Sequence, residues 1–253
     1  MKSPLSIPIL LLVVFSLTGF RQPAINPQQP GMLKITFVNT VKGKPLQLDS
    51  VTYTNPFGES YRISKFKYYI SHVSLPFDDG IFKELDSYHL VDESNPQSLS
   101  FGFIASVNTY RGIMFLLGVD SIKNVSGAQT GALDPLNDMF WTWNTGYVMA
   151  KMEGRSPQSA RVNNRVEYHI GGFAGPNHVL KNIRLGFPPN TSLDIREGKT
   201  SEIIIEADFD TWWQGGTDLK ISEQPVCTTP GELAKKIADN YSRMFRIRSI
   251  INH

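Results

Sequence analysis

Alternation of apolar and polar residues is the feature that most restricts the fold of this chain. LKITFVNTV (33–41) alternates side chains with a period of two, as a strand with one buried face does. Further strand patterns recur over residues 62–75, 111–120, 165–173 and 201–213. Eight to ten short strands without intervening helices are typical of a sandwich of two sheets.

One segment has the period of a helix. In TPGELAKKIADNYSRMF (229–245), Thr229 is the expected N-cap, Pro230 the first helical residue, and Glu232 the partner in a capping box. Apolar side chains recur along one face of this helix, so that face should pack on a sheet. The sequence therefore predicts an all-β fold, an antiparallel β-sandwich with one C-terminal amphipathic helix.

The N-terminus has the pattern of an export signal. Residues 1–22 contain one lysine, an apolar run of about a dozen residues and then small residues, which is shorter than the roughly 20 apolar residues of a membrane span. Residues 23–31 form a flexible Pro-rich leader, and 32–253 are expected to be a single domain. Position 20 is Phe, so no lipoprotein cysteine is present. We expect a periplasmic or secreted protein with no transmembrane segment after cleavage; a retained anchor is the alternative.

Charge and motifs exclude several classes of function. Removing Lys2 and Arg21 with the signal leaves 23 basic and 23 acidic residues, so no nucleic-acid-binding surface is expected. The single cysteine, Cys227, forms no intramolecular disulfide. The chain contains no Walker loop, no GxGxxG, no GxSxG and no HExxH. Asp208 and Asp210 alternate on a strand, which is common on solvated faces, so we predict that the protein is not an enzyme.

Three histidines are candidate metal ligands. His72 is expected on the same strand face as Phe66, Tyr68 and Ile70. His169 lies in mid-strand before two glycines, and His89 in YHLVD is a weaker third candidate. A lone buried histidine is most often a hydrogen-bonded core residue, but two imidazoles in a partly apolar pocket suit copper, with zinc possible.

The segment DPLNDMFWTWNTGYVMAKMEG (134–154) concentrates two of the four tryptophans. On a strand, Met139, Trp141 and Trp143 would point to one face. Large aromatics usually supply core area. The alternative is that this stripe walls a metal pocket and contains an oxidisable tryptophan.

GVDSIKNVSGAQTGALDPLNDMFWTWNTGYVMAKMEG (118–154) closely resembles the signature of the MbnP-like family, periplasmic copper-binding proteins named for a protein encoded beside methanobactin genes. Four further segments resemble those of the Bacteroidetes branch of this family: FKYYISHVSL, YHLVDES, EYHIGGF and IADNYSRMF. The resemblance covers roughly residues 32–250. It implies a β-sandwich that binds copper through two histidines, beside a tryptophan that a di-haem cytochrome c peroxidase/MauG-like partner can oxidise to kynurenine.

Carried onto this chain, the resemblance matches Trp141 and Trp143 to the MFWTW motif and His169 to the HIGG segment, while His72 lies on the YxxS strand. The chain departs from the family where some members carry an Asn-His pair, because it has Asn124 followed by Val125.

Two hypotheses follow. The first is a secreted copper-binding protein that takes up, stores or hands on copper through His72 and His169, with Met139 or Met149 as a soft donor. The second is a metal-free binding sandwich of the cell envelope, with Trp212 or Trp213 contacting a glycan or protein. The first hypothesis requires the side chains of His72 and His169 to converge on a common point, and the second does not. The sequence does not indicate the oligomeric state.

Overall fold

The computed structural model describes residues 29–141 and 146–253. These residues form sixteen strands: β1 Gly31–Val41, β2 Lys44–Pro45, β3 Tyr53–Thr54, β4 Ser60–Phe77, β5 Gly80–Lys83, β6 Tyr88–Asp92, β7 Ser100–Ala105, β8 Asn108–Tyr110, β9 Gly112–Leu117, β10 Val148–Arg155, β11 Arg165–Gly171, β12 Lys181–Gly186, β13 Leu193–Ile195, β14 Thr200–Asp208, β15 Val226–Cys227 and β16 Phe245–Ile251. Two α-helices accompany them, α1 Ser121–Val125 and α2 Glu232–Tyr241, with short 3-10 helices at Pro96–Leu99, Gly131–Leu133, Pro135–Asn137, Val162–Asn164 and Phe209–Trp212.

The strands assemble into two main sheets. The first has the order β16-β14-β1-β2, with β7 also paired to β1. The second has the order β12-β9-β4-β10-β11-β15, and the long strand β4 also pairs with β3, β5 and β6. Strands β13 and β8 form a separate pair. The predicted all-β sandwich is therefore confirmed.

The sheets bury their alternating faces against each other, as the sequence pattern requires. Phe37 of the first sheet lies 5.9 Å from Tyr68 and 6.3 Å from Phe115 of the second, measured between ring centroids. We call the side of the second sheet that meets the first its inner face and the other side its outer face. Aromatic contacts across this interface form the centre of the core.

Residues 119–141, here named the covering segment, lie on the outer face. The hydroxyl of Tyr69 donates to the carbonyl of Ala132 at 3.0 Å, and that of Tyr147 donates to the carbonyl of Leu133 at 2.7 Å. Because the segment closes over them, both tyrosines are buried on the side of the sheet that would otherwise face water. The covering segment, which is the first part of the family-like signature, therefore shields the outer face from water.

Two details differ from the sequence prediction. The pair β1–β14 is parallel, and so is β11–β15, within an otherwise antiparallel set of pairings. Helix α2 begins at Glu232 with Gly231 as its N-cap and no side-chain cap, so Thr229 is not the cap. The predicted helix also ends early, because β16 pairs with β14 from Phe245 onward.

Trp212 and Trp213 are fully buried. Their rings pack against those of Tyr241 at 4.8 Å and Tyr61 at 4.7 Å, and Trp213 Nε1 donates to Tyr61 Oη at 3.0 Å. The hypothesis that one of them forms an exposed binding platform is therefore wrong: Trp212 packs α2 onto the core, and Trp213 packs against Tyr61 of β4.

No helix among residues 29–141 and 146–253 is long and apolar enough to cross a membrane. The predicted signal, residues 1–22, lies outside the described residues.

Candidate functional site

His72 lies at a bulge in β4, where the pairing with β9 slips between Ser71 and Ser74. Its φ of 53° is in the left-handed region. The extra residue changes which positions face the core, from Tyr68 and Ile70 before the bulge to Val73 after it. The expectation that His72 shares a face with Ile70 is wrong for this reason. His72 points outward, with 53% of its side chain exposed.

Asp120 holds one edge of the His72 ring. Its Oδ2 lies 2.9 Å from His72 Nε2 and also accepts a hydrogen bond from the Tyr88 hydroxyl. Its Oδ1 caps helix α1 by accepting from the amides of Ile122 and Lys123. Burial would raise the pKa of Asp120, but these hydrogen bonds outweigh it and hold the pKa at about 2. The carboxylate is ionised at neutral pH and can only accept, so the neutral tautomer of His72 that pairs with it has its hydrogen on Nε2.

Nδ1 of His72 is then the ring atom with an available lone pair. Within residues 29–141 and 146–253, it has no hydrogen-bond partner. The imidazole lines a small cleft of about 150 Å³ together with Met114, Asn182 and Arg184. A thioether and an imidazole therefore line one open cleft on the outer face of the second sheet.

His89 belongs to a different environment. It pairs with Ile70, which faces the first sheet, so its side chain lies on the inner face. Its ring is parallel to that of Phe101 of β7, with centroids 3.4 Å apart, and its Nε2 lies 2.9 Å from Glu84 Oε1. This histidine is a partly buried packing residue at the rim of the sandwich.

His169 lies on the outer face within a network of charges. Its Nε2 is 3.0 Å from Glu153 Oε1, and the other oxygen of Glu153 is 3.2 Å from Lys65 Nζ. Lys151, with a side chain only 4% exposed, pairs with Asp138 at 3.0 Å. Hydrogen bonding to His169, acting against burial, together with the charge of Lys65 holds the pKa of Glu153 at about 2. The network fastens the covering segment to β10.

Trp141 lies on the backbone of β11. A Cβ atom added at Gly171 would lie 2.5 Å from Cη2 of Trp141, so the indole occupies the space above this glycine. Gly171 and His169 are two residues apart on one strand and therefore share the outer face, about 7 Å apart. Trp141 is accordingly a neighbour of His169 rather than of His72.

The predicted methionines do not reach an open surface. Met139 and Met149 are both fully buried. The thioether of Met149 already accepts the backbone amide of Val119 at 3.1 Å. Trp143 lies outside the described residues.

The predicted histidines are not brought together. His169 is in register with Lys151, and Lys151 with Lys67, which is five residues before His72 on β4. Strand spacing and rise give roughly 18 Å between the Cα atoms of His72 and His169. Metal–imidazole bonds of about 2 Å cannot span such a separation. Among the described residues, no group of three or more His, Cys, Asp and Glu side chains could hold a metal.

Sequence reasoning did not select Asp120, Tyr88 or Met114. Asp120 had a local signal, since an Asp directly before a short helix is a typical N-cap. Met114 had none, because its position beside His72 depends on the bulge in β4.

Asn124, where the chain departs from the family pattern, has a structural role. Its amide donates to the carbonyls of Val119 at 2.7 Å and Asp120 at 2.8 Å, and its Oδ1 accepts from the Tyr147 amide at 2.8 Å. The buried side chain thus ties helix α1 to the start of β10. Val125 is 67% exposed.

Comparison with known proteins gives one family and one solved structure. The MbnP family model matches residues 30–229. The structure of MbnP from Methylosinus trichosporium superposes with a TM-score of 0.53 over 88% of this chain and 99% of that chain, at 14% sequence identity. No curated protein matches the sequence. Because the family model spans most of the chain, the protein belongs to the MbnP family.

Proposed function

We propose that this protein is a copper-handling protein of the periplasm or cell exterior, and that His72 is its imidazole donor. The observation that supports this most is the His72–Asp120 pair. A carboxylate that fixes one ring nitrogen of a histidine leaves the other nitrogen oriented for a metal, an arrangement common around protein-bound metals. Membership of the MbnP family supports copper as the ion.

The donor set around His72 suits monovalent copper. Imidazole binds copper well, and thioethers select Cu(I) over harder ions. Met114, which lines the cleft beside His72, takes the place that we expected for Met139 or Met149. A site with one histidine, one methionine and open access is suited to cargo that is acquired and handed on rather than retained.

His169 is a poorer donor in this chain. Its side chain is 19% exposed, and the ammonium groups of Lys65 and Lys151 lie within 4.0 Å of the carboxylate that it binds. The ammonium and carboxylate groups of this network already neutralise one another, so a metal ion would have to displace their ion pairs. The predicted two-histidine centre therefore does not fit the residues present.

Oxidation of Trp141 to kynurenine by a di-haem cytochrome c peroxidase/MauG-like partner belongs to the same proposal, and is tested by the intact mass of protein from its native host.

The test is Cu(I) affinity by competition with a chromophoric chelator. We expect the parent protein to bind about one ion, His72→Ala to lose at least tenfold in affinity, and Met114→Leu to lose less. His169→Ala and His178→Ala, the latter in an exposed loop, should bind as the parent does.

The opposite pattern, with affinity lost in His169→Ala and kept in His72→Ala, would move the ion to the surface beside Trp141 and overturn the assignment. If the parent protein binds Cu(I) no more tightly than His72→Ala does, the copper proposal fails. The alternative is then a metal-free binding protein of the cell envelope that recognises a glycan or a protein.

A further inference from the structure

Three arginines lie directly opposite one another on the outer face. Arg155 of β10 is in register with Arg62 of β4 on one side and with Arg165 of β11 on the other. Residues in register on adjacent strands point to the same face and lie about 5 Å apart. We call this set the arginine row; it crosses the end of the second sheet that carries the β10–β11 hairpin.

The arginine row has few counter-charges. Arg165 Nε lies 3.3 Å from Glu167 Oε2, and Arg62 Nε donates to Thr52 Oγ1 at 2.9 Å. Arg155 has no ion pair or side-chain hydrogen bond within residues 29–141 and 146–253. Among the described residues, the carboxylate of Glu167 is therefore the one that forms an ion pair with any of these three guanidinium groups.

A second row of positive charge lies on the same face, separated from the arginine row by the row of Lys65, Glu153 and Glu167, and it is neutralised by ion pairs. Lys67 and Lys151 stand opposite each other four residues along β10. There, Lys67 pairs with Asp92 at 3.0 Å and Lys151 with Asp138 at 3.0 Å. Like charges placed directly opposite destabilise a sheet, so the arginine row, with only Arg165 in an ion pair among the described residues, is a local cost in the free protein.

The hairpin that contributes two of the arginines adds a third positive charge and no negative one. RSPQSARVNNR (155–165) contains Arg161, which is exposed, and no Asp or Glu. The chain as a whole has 25 basic and 23 acidic residues, so this concentration of guanidinium groups is not a consequence of composition.

A cleft lies beside the row. Its volume is about 340 Å³, and its lining includes Arg62, Arg155, Ser60, Asn163 and Asn164. Asn163 and Asn164 adopt left-handed φ values of 59° and 54°. Hydroxyl and amide groups therefore border the guanidinium groups of Arg62 and Arg155, as donors do around bound oxyanions.

We propose that the arginine row and its cleft bind a phosphate group. Planar guanidinium groups donate paired hydrogen bonds to phosphate oxygens. A phosphate dianion would also supply the negative counter-charge that Arg62 and Arg155 lack. Arg62 lies ten residues from His72 on one strand, about 30 Å away, so this site is separate from the proposed copper contact.

The phosphate has two possible sources, a soluble phosphate compound and a lipid headgroup. The test uses the full chain at low ionic strength with inorganic phosphate, and with sedimented vesicles of phosphatidic acid or of phosphatidylcholine alone. We expect phosphate to raise the melting temperature of the parent and to bind saturably. Binding to phosphatidic acid vesicles, with none to phosphatidylcholine vesicles, would assign the site to a lipid headgroup. Binding of inorganic phosphate without binding to phosphatidic acid vesicles would assign it to a soluble phosphate compound.

The decisive variant is Arg62→Gln with Arg155→Gln. It should weaken phosphate binding at least tenfold, while its own melting temperature equals or exceeds that of the parent because the opposed charges are gone. Arg155→Lys keeps the positive charge but loses the planar guanidinium that donates paired hydrogen bonds, and it should weaken binding less. Arg196→Gln with Arg248→Gln removes two exposed arginines elsewhere and should bind as the parent does. Equal weakening in this control, or no phosphate and no phosphatidic acid binding by the parent, overturns the proposal.

Discussion

Gly171→Ala is expected to lower the free energy of unfolding by about 3 kcal/mol, the upper range for a methyl group inserted into a packed site. The added Cβ would lie 2.5 Å from Cη2 of Trp141 and 2.8 Å from the carbonyl oxygen of Tyr147. The second of these is a backbone atom, so the clash is not relieved by a side-chain rotation alone. Denaturant unfolding monitored by tryptophan fluorescence measures the loss.

Gly186→Ala is the matched control. Gly186 also lies in a strand of the second sheet, but a Cβ there would meet no heavy atom within 4 Å. Alanine at this position should leave the unfolding free energy within about 0.5 kcal/mol of the parent value. If both variants unfold at the parent's denaturant midpoint, Trp141 does not lie against β11 as described.

Glu153→Gln should cost about 2–3 kcal/mol at pH 7. The carboxylate, whose pKa is held at about 2 against an ordinary value of 4.5, joins His169 and Lys65. A lowered pKa means that the stabilisation is complete above about pH 4.5 and is lost as the pH falls toward 2. The difference between parent and variant should therefore shrink across that interval, which urea unfolding at pH 7, 4.5 and 3 measures.

Glu167→Gln provides the comparison. Glu167 stands in register with Glu153 on the next strand, yet its partner Arg165 is 57% exposed and lies 3.3 Å away. An ion pair with so exposed a partner contributes little, so this variant should change stability by less than about 0.5 kcal/mol at either pH. A loss in Glu167→Gln as large as that in Glu153→Gln would refute the role given to the contacts of Glu153 with His169 and Lys65.

The fold was largely predictable because strand alternation is a local property. β1, β11 and β14 follow the period-two pattern closely. The parallel pairing of β1 with β14 was not predictable, since nothing in either segment specifies the direction of a partner far along the chain. The early end of α2 was missed for the same reason: the strand pairing from Phe245 prevails over helical periodicity.

The candidate site was predicted only in part. His72 and His169 are on the predicted strands, whereas the contact of Trp141 with Gly171 of the HIGG segment was not predicted. Their separation depends on the register of three strands and on the bulge at His72, which no local pattern encodes. Asp120 lies far from His72 in sequence, and their contact exists only because the chain turns back after β9.

The parallel pairing of β1 with β14 also determines the order in which the protein can fold. The Thr40 hydroxyl of β1 donates to Glu206 of β14, a residue 166 positions later in the chain. Closing so long a loop is entropically costly, and topologies dominated by such distant contacts fold slowly. The first sheet cannot be completed until nearly all of the polypeptide is available. Refolding from denaturant should accordingly be slow, with the pairing of β1 and β14 as a late step.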